Sequence, residues 1–523
     1  MLIFFSFLGI IVLWCYGAIG WFGSVSAVGY IWLDYPFHFL LDDTSLVCSY
    51  MLLCCGLIAL FYCFHYFGYT GDGKSLSVLM LWFLSTMFIL LFSSRVIVSL
   101  VLWEYLGLVS FFLILFYSNG ASLRASLITL FASRFGDVGL FMLFLWVGNE
   151  WFLVNGWQYS LFLILVVLTK SACYPFISWL LEAMRAPTPV SSLVHSSTLV
   201  AAGVWFLVRY DSFFGASSCG LLASFSLLTI FITGASACFF MDLKKIVALS
   251  TCNNISWCLL FYVCGDFGLC LLQLLTHGVC KCYLFMFVGD LMSSSSSSQS
   301  SAGVYMGRYS SIYGVLGQML LIISLCGLPF LGVFFSKHSF FSNLLYIYGI
   351  GFAFFLLVCF FVSYVYSVRF LFLLLRLGGG LSSGYSSSFM LIATISFLGT
   401  FLNYFGGCML VEVVSMGVCW SLIIVFLQLL GSVLGYVFFL FGYGGSFWQA
   451  SLWGGDCLVN WLYSIFLSVS EGYTICLYRW ELYLLTLCSL PPTVKDFRHS
   501  LFSMNILVCG LLFGFFMYFF ILI

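Results

Sequence analysis

Continuously apolar runs of about twenty residues recur along this chain, and a helix of that length crosses the roughly 30 Å hydrocarbon core of a bilayer. Barrel strands do not fit these runs, because they would be about ten residues long and alternate polar with apolar positions. Of the 523 residues 63% are hydrophobic and only 7% charged, with mean hydropathy +1.17. A soluble domain carries about a quarter of its residues charged. The sequence therefore predicts an all-α, polytopic membrane protein. Roughly fifteen spans are expected, centred near residues 12, 57, 85, 107, 136, 169, 199, 229, 255, 279, 322, 360, 395, 426 and 514.

Three lysines sit inside these runs: Lys170 in LFLILVVLTKSACYPF, Lys281 in LLQLLTHGVCKCYLFMFVG and Lys337 in LLIISLCGLPFLGVFFSKHSFF. A lysine at hydrocarbon depth costs on the order of 3 kcal/mol or more, so chance rarely keeps three of them. The reading they favour is an ion or proton pathway.

Prolines fall beside the same lysines. Pro175, Pro187 and Pro189 follow Lys170, and Pro329 precedes Lys337. Proline removes an intrahelical hydrogen bond, and backbone freed within a membrane must be buried in protein or line water. Two broken helices next to intramembrane ionisable groups are the expected consequence, an arrangement found at the coupling-ion sites of secondary transporters.

Each lysine needs a partner. Glu104, in VLWEYLGLVSFFLILF, lies inside its span and is the carboxylate expected to pair with Lys170. His277 and Lys281 are four residues apart, on one helical face, and suit a relay through ordered water. Arg134 and Asp137, three apart, read as a local ion pair near a helix end, structural in role. Glu182 and Arg185 lie in the broken segment, and His195 continues it within a hydroxyl-rich stretch, PTPVSSLVHSSTLV, able to support a hydrated path.

The 22 cysteines mostly stand singly within apolar runs, where a free thiol behaves as a small hydrophobe, and none has the CxxC spacing of zinc or iron–sulfur sites. Zero formal net charge gives no sign of a nucleic-acid partner. The N-terminal run MLIFFSFLGIIVLWCYG carries no basic residue, so the expectation is either a first span that serves as its own insertion signal or synthesis in the resident compartment. The 62 Phe, 30 Tyr and 22 Cys resemble the drift of a T-rich organellar genome. Ser293 to Gly303 reads as an exposed flexible link. Charged and aromatic residues return after about residue 443, which suits either a helix along the membrane interface before a final span, or one more span near 457 to 470 followed by a loop.

Four segments carry a resemblance. WLLEAMRAPTPVSSLVHSSTLVAAGVWFLVR, DLKKIVALST, LLTHGVCKCYLFMFVGDLM and GLPFLGVFFSKHSFF are similar, in order and spacing from Trp103 to Lys337, to the antiporter-like subunits of respiratory complex I, most closely the distal subunit of the mitochondrial membrane arm. The resemblance implies a proton-translocating subunit of NADH:ubiquinone reductase in the mitochondrial inner membrane. NADH oxidation, quinone reduction, FMN and the iron–sulfur clusters would belong to other subunits, leaving this chain without a cofactor or metal. It implies inverted five-helix repeats containing the two broken helices, and a C-terminal lateral helix with a final anchor. The expected organisation is residues 1–95 as N-terminal spans, 96–442 as the translocating core and 443–523 as lateral helix and anchor.

Carried onto matching positions, Glu104 and Lys170 become the pair of one half-channel, Lys281 the central relay, His277 and His195 hydrated-path residues, and Lys337 an exit group on the second broken helix. Two positions depart from the family pattern. His338 stands where an Asp usually follows the Ser-Lys, and Gln273 where many members have His. Exit would then use Lys337 with His338, or a carboxylate elsewhere, such as Glu412. Implied partners are other membrane-arm subunits, above all the neighbouring antiporter-like one, and lipids. A sodium/proton antiporter subunit shares the same motifs, and a small-solute transporter would need a substrate pocket that no segment supplies.

Overall fold

The computed structural model of the chain describes residues 27–29, 37–39, 42–148, 156–294, 299–301, 312–327, 332–341, 350–375, 418–441 and 451–489, apart from residues 69, 94, 95, 212, 213, 335 and 339. The predicted spans near 12, 395 and 514, together with Pro329 and Glu412, lie outside the described residues. The fold is that of a polytopic helical membrane protein. A short antiparallel ribbon, β1 (Ala27–Gly29) with β2 (Phe37–Phe39), is the one strand pair among the described residues and departs from an all-helical chain.

The helices are α1 (Asp43–Phe67), α2 (Gly71–Phe92), α3 (Val96–Leu115), α4 (Gly120–Gly148), α5 (Gly156–Lys170), α6 (Ser178–Ala183), α7 (Thr188–Leu193), α8 (Leu199–Arg209), α9 (Ala216–Ala237), α10 (Leu243–Val263), α11 (Phe267–Ser294), α12 (Ile312–Cys326), α13 (Ile350–Leu375), α14 (Val418–Phe441) and α15 (Gly455–Ser489). Among the described residues ten segments are long and apolar enough to span, and the runs expected near 169 and 322 are shorter apolar helices, Ser160–Lys170 and Gly317–Cys326. Both shortened helices are those predicted to break.

The first break shows its cause in sequence. α5 stops at Lys170, Ala172 takes a left-handed φ of 54°, and Pro175 falls in the turn that follows. Trp179 on α6 donates its indole N–H to the Thr169 carbonyl at 2.9 Å, so a carbonyl left over at the end of α5 is satisfied across the gap. Pro189 lies in the first turn of α7, where a missing N–H costs no hydrogen bond. α7 passes into a π-helical turn, Val194–Thr198, before α8 resumes. Such turns are rare and often mark functional positions; this one carries His195. At the second break, α12 ends at Cys326, Gly327 adopts a φ of 89°, and a helical turn at residues 336–338 holds Lys337.

Burial sorts the spans into an inner and an outer set. Thr188–Arg209, Leu243–Val263 and Phe267–Ser293 are 100%, 94% and 83% buried over their apolar windows, whereas the other spans range from 22% to 56%. The inner three carry a dense set of buried polar side chains, including His195, Thr251, Asn253, Asn254, His277 and Lys281. Outer helices turn residues such as Val78, Val101, Leu422 and Phe426 outward, as lipid contact requires. Small residues set the closest approaches: an added Cβ on Gly435 of α14 would stand 2.6 Å from the Val365 carbonyl of α13.

Of the link from Ser293 to Gly303, residues 293–294 and 299–301 are described. α11 continues through Ser294, and residues 299–301 form a bridge to the start of α10, with Leu243 N–H donating to the Gln299 carbonyl and Ser301 N–H to the Met241 carbonyl. The expectation of an exposed link holds at Ser293, Gln299 and Ser300, and the expectation of a flexible one is corrected at residues 299–301, where the backbone is paired.

The chain separates into two compact units, residues 1–457 and 458–523. Within the first, the root of α15 is held tightly: Leu452 is fully buried, the Trp453 ring lies 6.4 Å from that of Phe231, and Leu452, Trp453 and Gly454 all take left-handed φ values of 52°, 55° and 90°. Two such non-glycine residues persist only where packing dictates them. α15 itself is one continuous helix of 35 residues, so the alternative of a span near 457 to 470 followed by a loop does not hold. Leu458, Trp461, Ile465, Val469, Tyr473 and Trp480 are exposed along it.

Candidate functional site

Lys170 ends α5 at the first break and is fully buried. Its ammonium lies over the Trp103 ring at 5.0 Å, and its nearest carboxylate is Asp137, with Oδ1 at 3.9 Å. Glu104 is not that partner. It is ion-paired with Arg134, which also reaches Asp137 Oδ2 at 3.4 Å, so the expected Glu104–Lys170 contact is replaced by a relay of charges, Glu104–Arg134–Asp137–Lys170. The reason is helix geometry. Arg134 and Asp137 lie one turn apart in the middle of α4, not near its end, and stand between α3 and α5. The Glu104 and Arg134 end of this relay is partly open, at 24% and 42% side-chain exposure, whereas Asp137 and Lys170 are buried, at 4% and 1%. Alternating signs bring charge from an outer face to the interior without leaving a net one behind.

Glycine makes the approach possible. A Cβ on Gly136 would overlap Thr169, and one on Gly139 would stand 3.1 Å from the Phe162 carbonyl, so α4 and α5 meet along a small-residue seam flanking Asp137. That seam was the available sequence signal for Asp137 as partner of Lys170.

His195 is fully buried in the π-helical turn, with its ring 6.3 Å from that of Trp179, and neither ring nitrogen has a protein hydrogen-bond partner among the described residues. Buried polar nitrogens of this kind are normally satisfied by ordered water. Lys244, at the start of α10, donates to the Ala186 carbonyl at 3.1 Å, just before α7.

His277 and Lys281 share one face of α11 and are both buried. Lys281 donates to the Ser250 hydroxyl and to the Val247 carbonyl at 3.3 Å, both on α10. No carboxylate lies within ion-pair distance of Lys281 among the described residues. Among the described residues His277, like His195, has no protein hydrogen-bond partner at either nitrogen. A Cβ on Gly278 would come within 3.5 Å of Ser197, which sets this stretch of α11 directly against the π-helical turn. The structure thus brings His195, His277 and Lys281 into one buried neighbourhood.

Lys337 is also buried; it donates to the Cys326 carbonyl at 3.3 Å and lies over the rings of Trp257 and Phe360 at 5.5 and 5.8 Å. His338 follows it in the chain but points elsewhere, with its ring 3.9 Å from that of Phe334. Gln273 acquires a specific role: its amide oxygen accepts from the Ser336 hydroxyl at 2.5 Å, and its amide nitrogen is 3.5 Å from Asn254 Oδ1. α11 and α10 are thereby tied to the residue just before Lys337. Nothing in the sequence alone paired Gln273 with Ser336.

The described cysteines are free thiols, mostly buried, and no group of three metal-ligating side chains occurs among the described residues.

The family described as NADH:quinone oxidoreductase/Mrp antiporter, transmembrane, matches residues 93–364. NADH-ubiquinone oxidoreductase chain 5 of Aedes aegypti is 35% identical over 337 residues, covering 61% of this chain and 57% of the mosquito protein. That of Anopheles arabiensis is 35% identical over 340 residues, 61% of this chain and 86% of the relative. The earthworm Lumbricus terrestris protein of the same name is 37% identical over 284 residues, 52% and 49% of the two chains. The matched region thus amounts to about half the length of the Aedes aegypti and Lumbricus terrestris relatives. Among solved structures, the Mrp complex from Dietzia sp. DQ12-45-1b superposes with a TM-score of 0.71 at 21% identity, over 92% of this chain and 59% of that one. An archaeal membrane-bound sulfane sulfur reductase gives 0.66 at 16% identity, over 82% and 91%. These two likenesses concern the fold.

Proposed function

Since the chain belongs to the NADH:quinone oxidoreductase/Mrp antiporter transmembrane family, we propose that it is a proton-translocating membrane-arm subunit of respiratory NADH:ubiquinone oxidoreductase, placed as a multi-pass protein in the mitochondrial inner membrane. The observation that carries this reading is the series of buried ionisable groups, Lys170, His195, His277, Lys281 and Lys337, at or between two broken helices. NADH, FMN, iron–sulfur clusters and ubiquinone would be handled by other subunits. The names of the curated relatives support this over a sodium/proton antiporter subunit.

Asp137 is shared between Lys170 and Arg134, and Arg134 between Asp137 and Glu104. An anion drawn toward Lys170 holds a proton there, and an anion drawn toward Arg134 lets it leave. Small displacements of Arg134 therefore switch Lys170 between holding and releasing. A released proton passes by water at His195 to the His277–Lys281 seam. Lys281 is held by neutral oxygens alone, so no fixed anion traps a proton there. Lys337 and His338 then serve the exit side. The outward-lying Glu104–Arg134 end of the relay is where a neighbouring antiporter-like subunit would act on the switch.

The experiment is Lys281→Met in the assembled complex. Proton pumping and coupled NADH-driven quinone reduction are expected to fall while assembly on a native gel is unchanged. Normal pumping by a fully assembled Lys281→Met complex refutes the reading.

A further inference from the structure

A second polar cluster, separate from the lysine series, opens at the membrane face where α1 and α11 end and α7 begins. His65 Nε2 lies 3.1 Å from Asp290 Oδ1, joining the last turns of α1 and α11 across 225 residues of sequence, and both side chains are partly open, 24% and 30% exposed. Three residues before His65 on α1, Tyr62 is fully buried, with its hydroxyl 3.4 Å from the hydroxyl of Thr188, the first residue of α7. The Tyr62 and His65 rings are 6.0 Å apart, and Asp290 acts electrostatically on Tyr62. Gly289 makes room for this contact: a Cβ there would overlap the Tyr62 hydroxyl and stand 2.9 Å from Thr188 Cβ. Beyond Thr188, the buried hydroxyls of Ser191 and Ser192 lead along α7 to His195, seven residues or two helical turns further.

Resting on the proton-translocation reading above, we infer that His65, Asp290 and Tyr62 form a proton-exchange port between water at this face and His195. Asp290 and His65 are groups that can bind a proton from water and are wet enough to do so. Tyr62 is the step from wet to dry, because a phenol donates one proton while accepting another. In each transfer a new O–H bond forms on Tyr62 from the Asp290 side as its own O–H bond breaks toward Thr188 Oγ1, and the Thr188 O–H bond breaks in turn toward a water on the His195 side, so both hydroxyls stay neutral and one proton moves inward. The reverse sequence exports one. A purely mechanical latch between α1 and α11 would need the His65–Asp290 contact but not the buried Tyr62–Thr188 pair aimed at the broken helix.

The test uses the assembled complex, with turnover measured as NADH-driven quinone reduction after an ionophore has collapsed the gradient. Asp290→Asn keeps a hydrogen-bond acceptor for His65 but cannot carry a proton, and Tyr62→Phe keeps the ring but loses the hydroxyl. Each is expected to slow turnover by about tenfold or more with assembly intact, the scale of losing a positioned proton-transfer group. Asp290→Glu is expected to retain activity, and millimolar formate to restore turnover to Asp290→Asn but not to Lys281→Met. Wild-type rates in Asp290→Asn and Tyr62→Phe beside a slow Lys281→Met overturn the port while leaving translocation standing. A slow Asp290→Asn that formate does not rescue shows a latch and also overturns it. A normal rate in Lys281→Met refutes translocation itself, and the port with it.

Discussion

Asp137 Oδ1 stands 3.9 Å from Lys170 Nζ while its other oxygen is 3.4 Å from Arg134, so one buried carboxylate is divided between two cations on different helices. This division makes Asp137, more than Glu104, the group whose position decides the state of Lys170. Asp137→Asn and Lys170→Met are accordingly expected to be non-additive, with a coupling of about 0.5–3 kcal/mol in a double-mutant cycle on turnover. Glu104→Gln, one cation further away, is expected to couple more weakly to Lys170→Met. Losses that simply multiply for the Asp137 and Lys170 pair would remove the shared-carboxylate switch.

Gln273 ties α11 to Ser336, and both groups are buried. Gln273→Leu removes the bond from Ser336, whose hydroxyl keeps the Val333 carbonyl, and takes away the amide donor to Asn254 Oδ1, at a cost of about 1–3 kcal/mol. Faster thermal inactivation of the variant complex is the expected result. An inactivation curve that overlays the wild type would show that other partners replace Gln273.

Gly435 lies where α14 crosses α13. Gly435→Leu must push the two helices apart against the Val365 carbonyl and Val368, and overpacking of this kind costs about 1–3 kcal/mol. Reduced complex on a native gel is expected, and unaltered assembly would count against the contact.

Much of this was legible in the chain, and what was not has a common cause. Apolar runs of spanning length located the spans, and prolines beside Lys170 located the first break, because both are local properties of one segment. Partners across helices were not local. Glu104 was the carboxylate whose depth matched Lys170, yet Asp137 took the place because Gly136 and Gly139 bring α4 against α5. His65 and Asp290 lie 225 residues apart and meet only because α1 and α11 end at the same face. Serine-rich composition suggested a flexible link, and at residues 299–301 two backbone hydrogen bonds to the start of α10 overrode it.

The His338 ring lies 3.9 Å from that of Phe334, tilted against it by 42°, while Lys337 is held by the Cys326 carbonyl. His338→Leu preserves the apolar contact and removes a proton carrier, so slower turnover with normal assembly is expected if the ring serves exit. His338→Asp should preserve activity. An unchanged rate in the Leu variant would leave the ring a packing role only.

Asp456, in the first turn of α15, is pushed up to about 6 from its ordinary 3.8, first by burial and then by the Glu182 carboxylate, with Lys245 pulling the other way. Glu182 is itself paired with Arg185, and Lys245 with Asp242. A carboxyl that holds its proton more tightly when docked adds stability at low pH and loses it as pH rises from about 4 to about 6. Above that window the docked root carries an unfavourable anion, held down by Leu452 and Trp453. Asp456→Asn removes the anion without changing the shape of the side chain. At pH 7 amide exchange over residues 451–456 should therefore be slower in the variant than in the wild type, and the difference should shrink as pH falls toward 5. Equal protection at pH 7, or a difference that grows on acidification, would show that Asp456 is not strained by burial at this site.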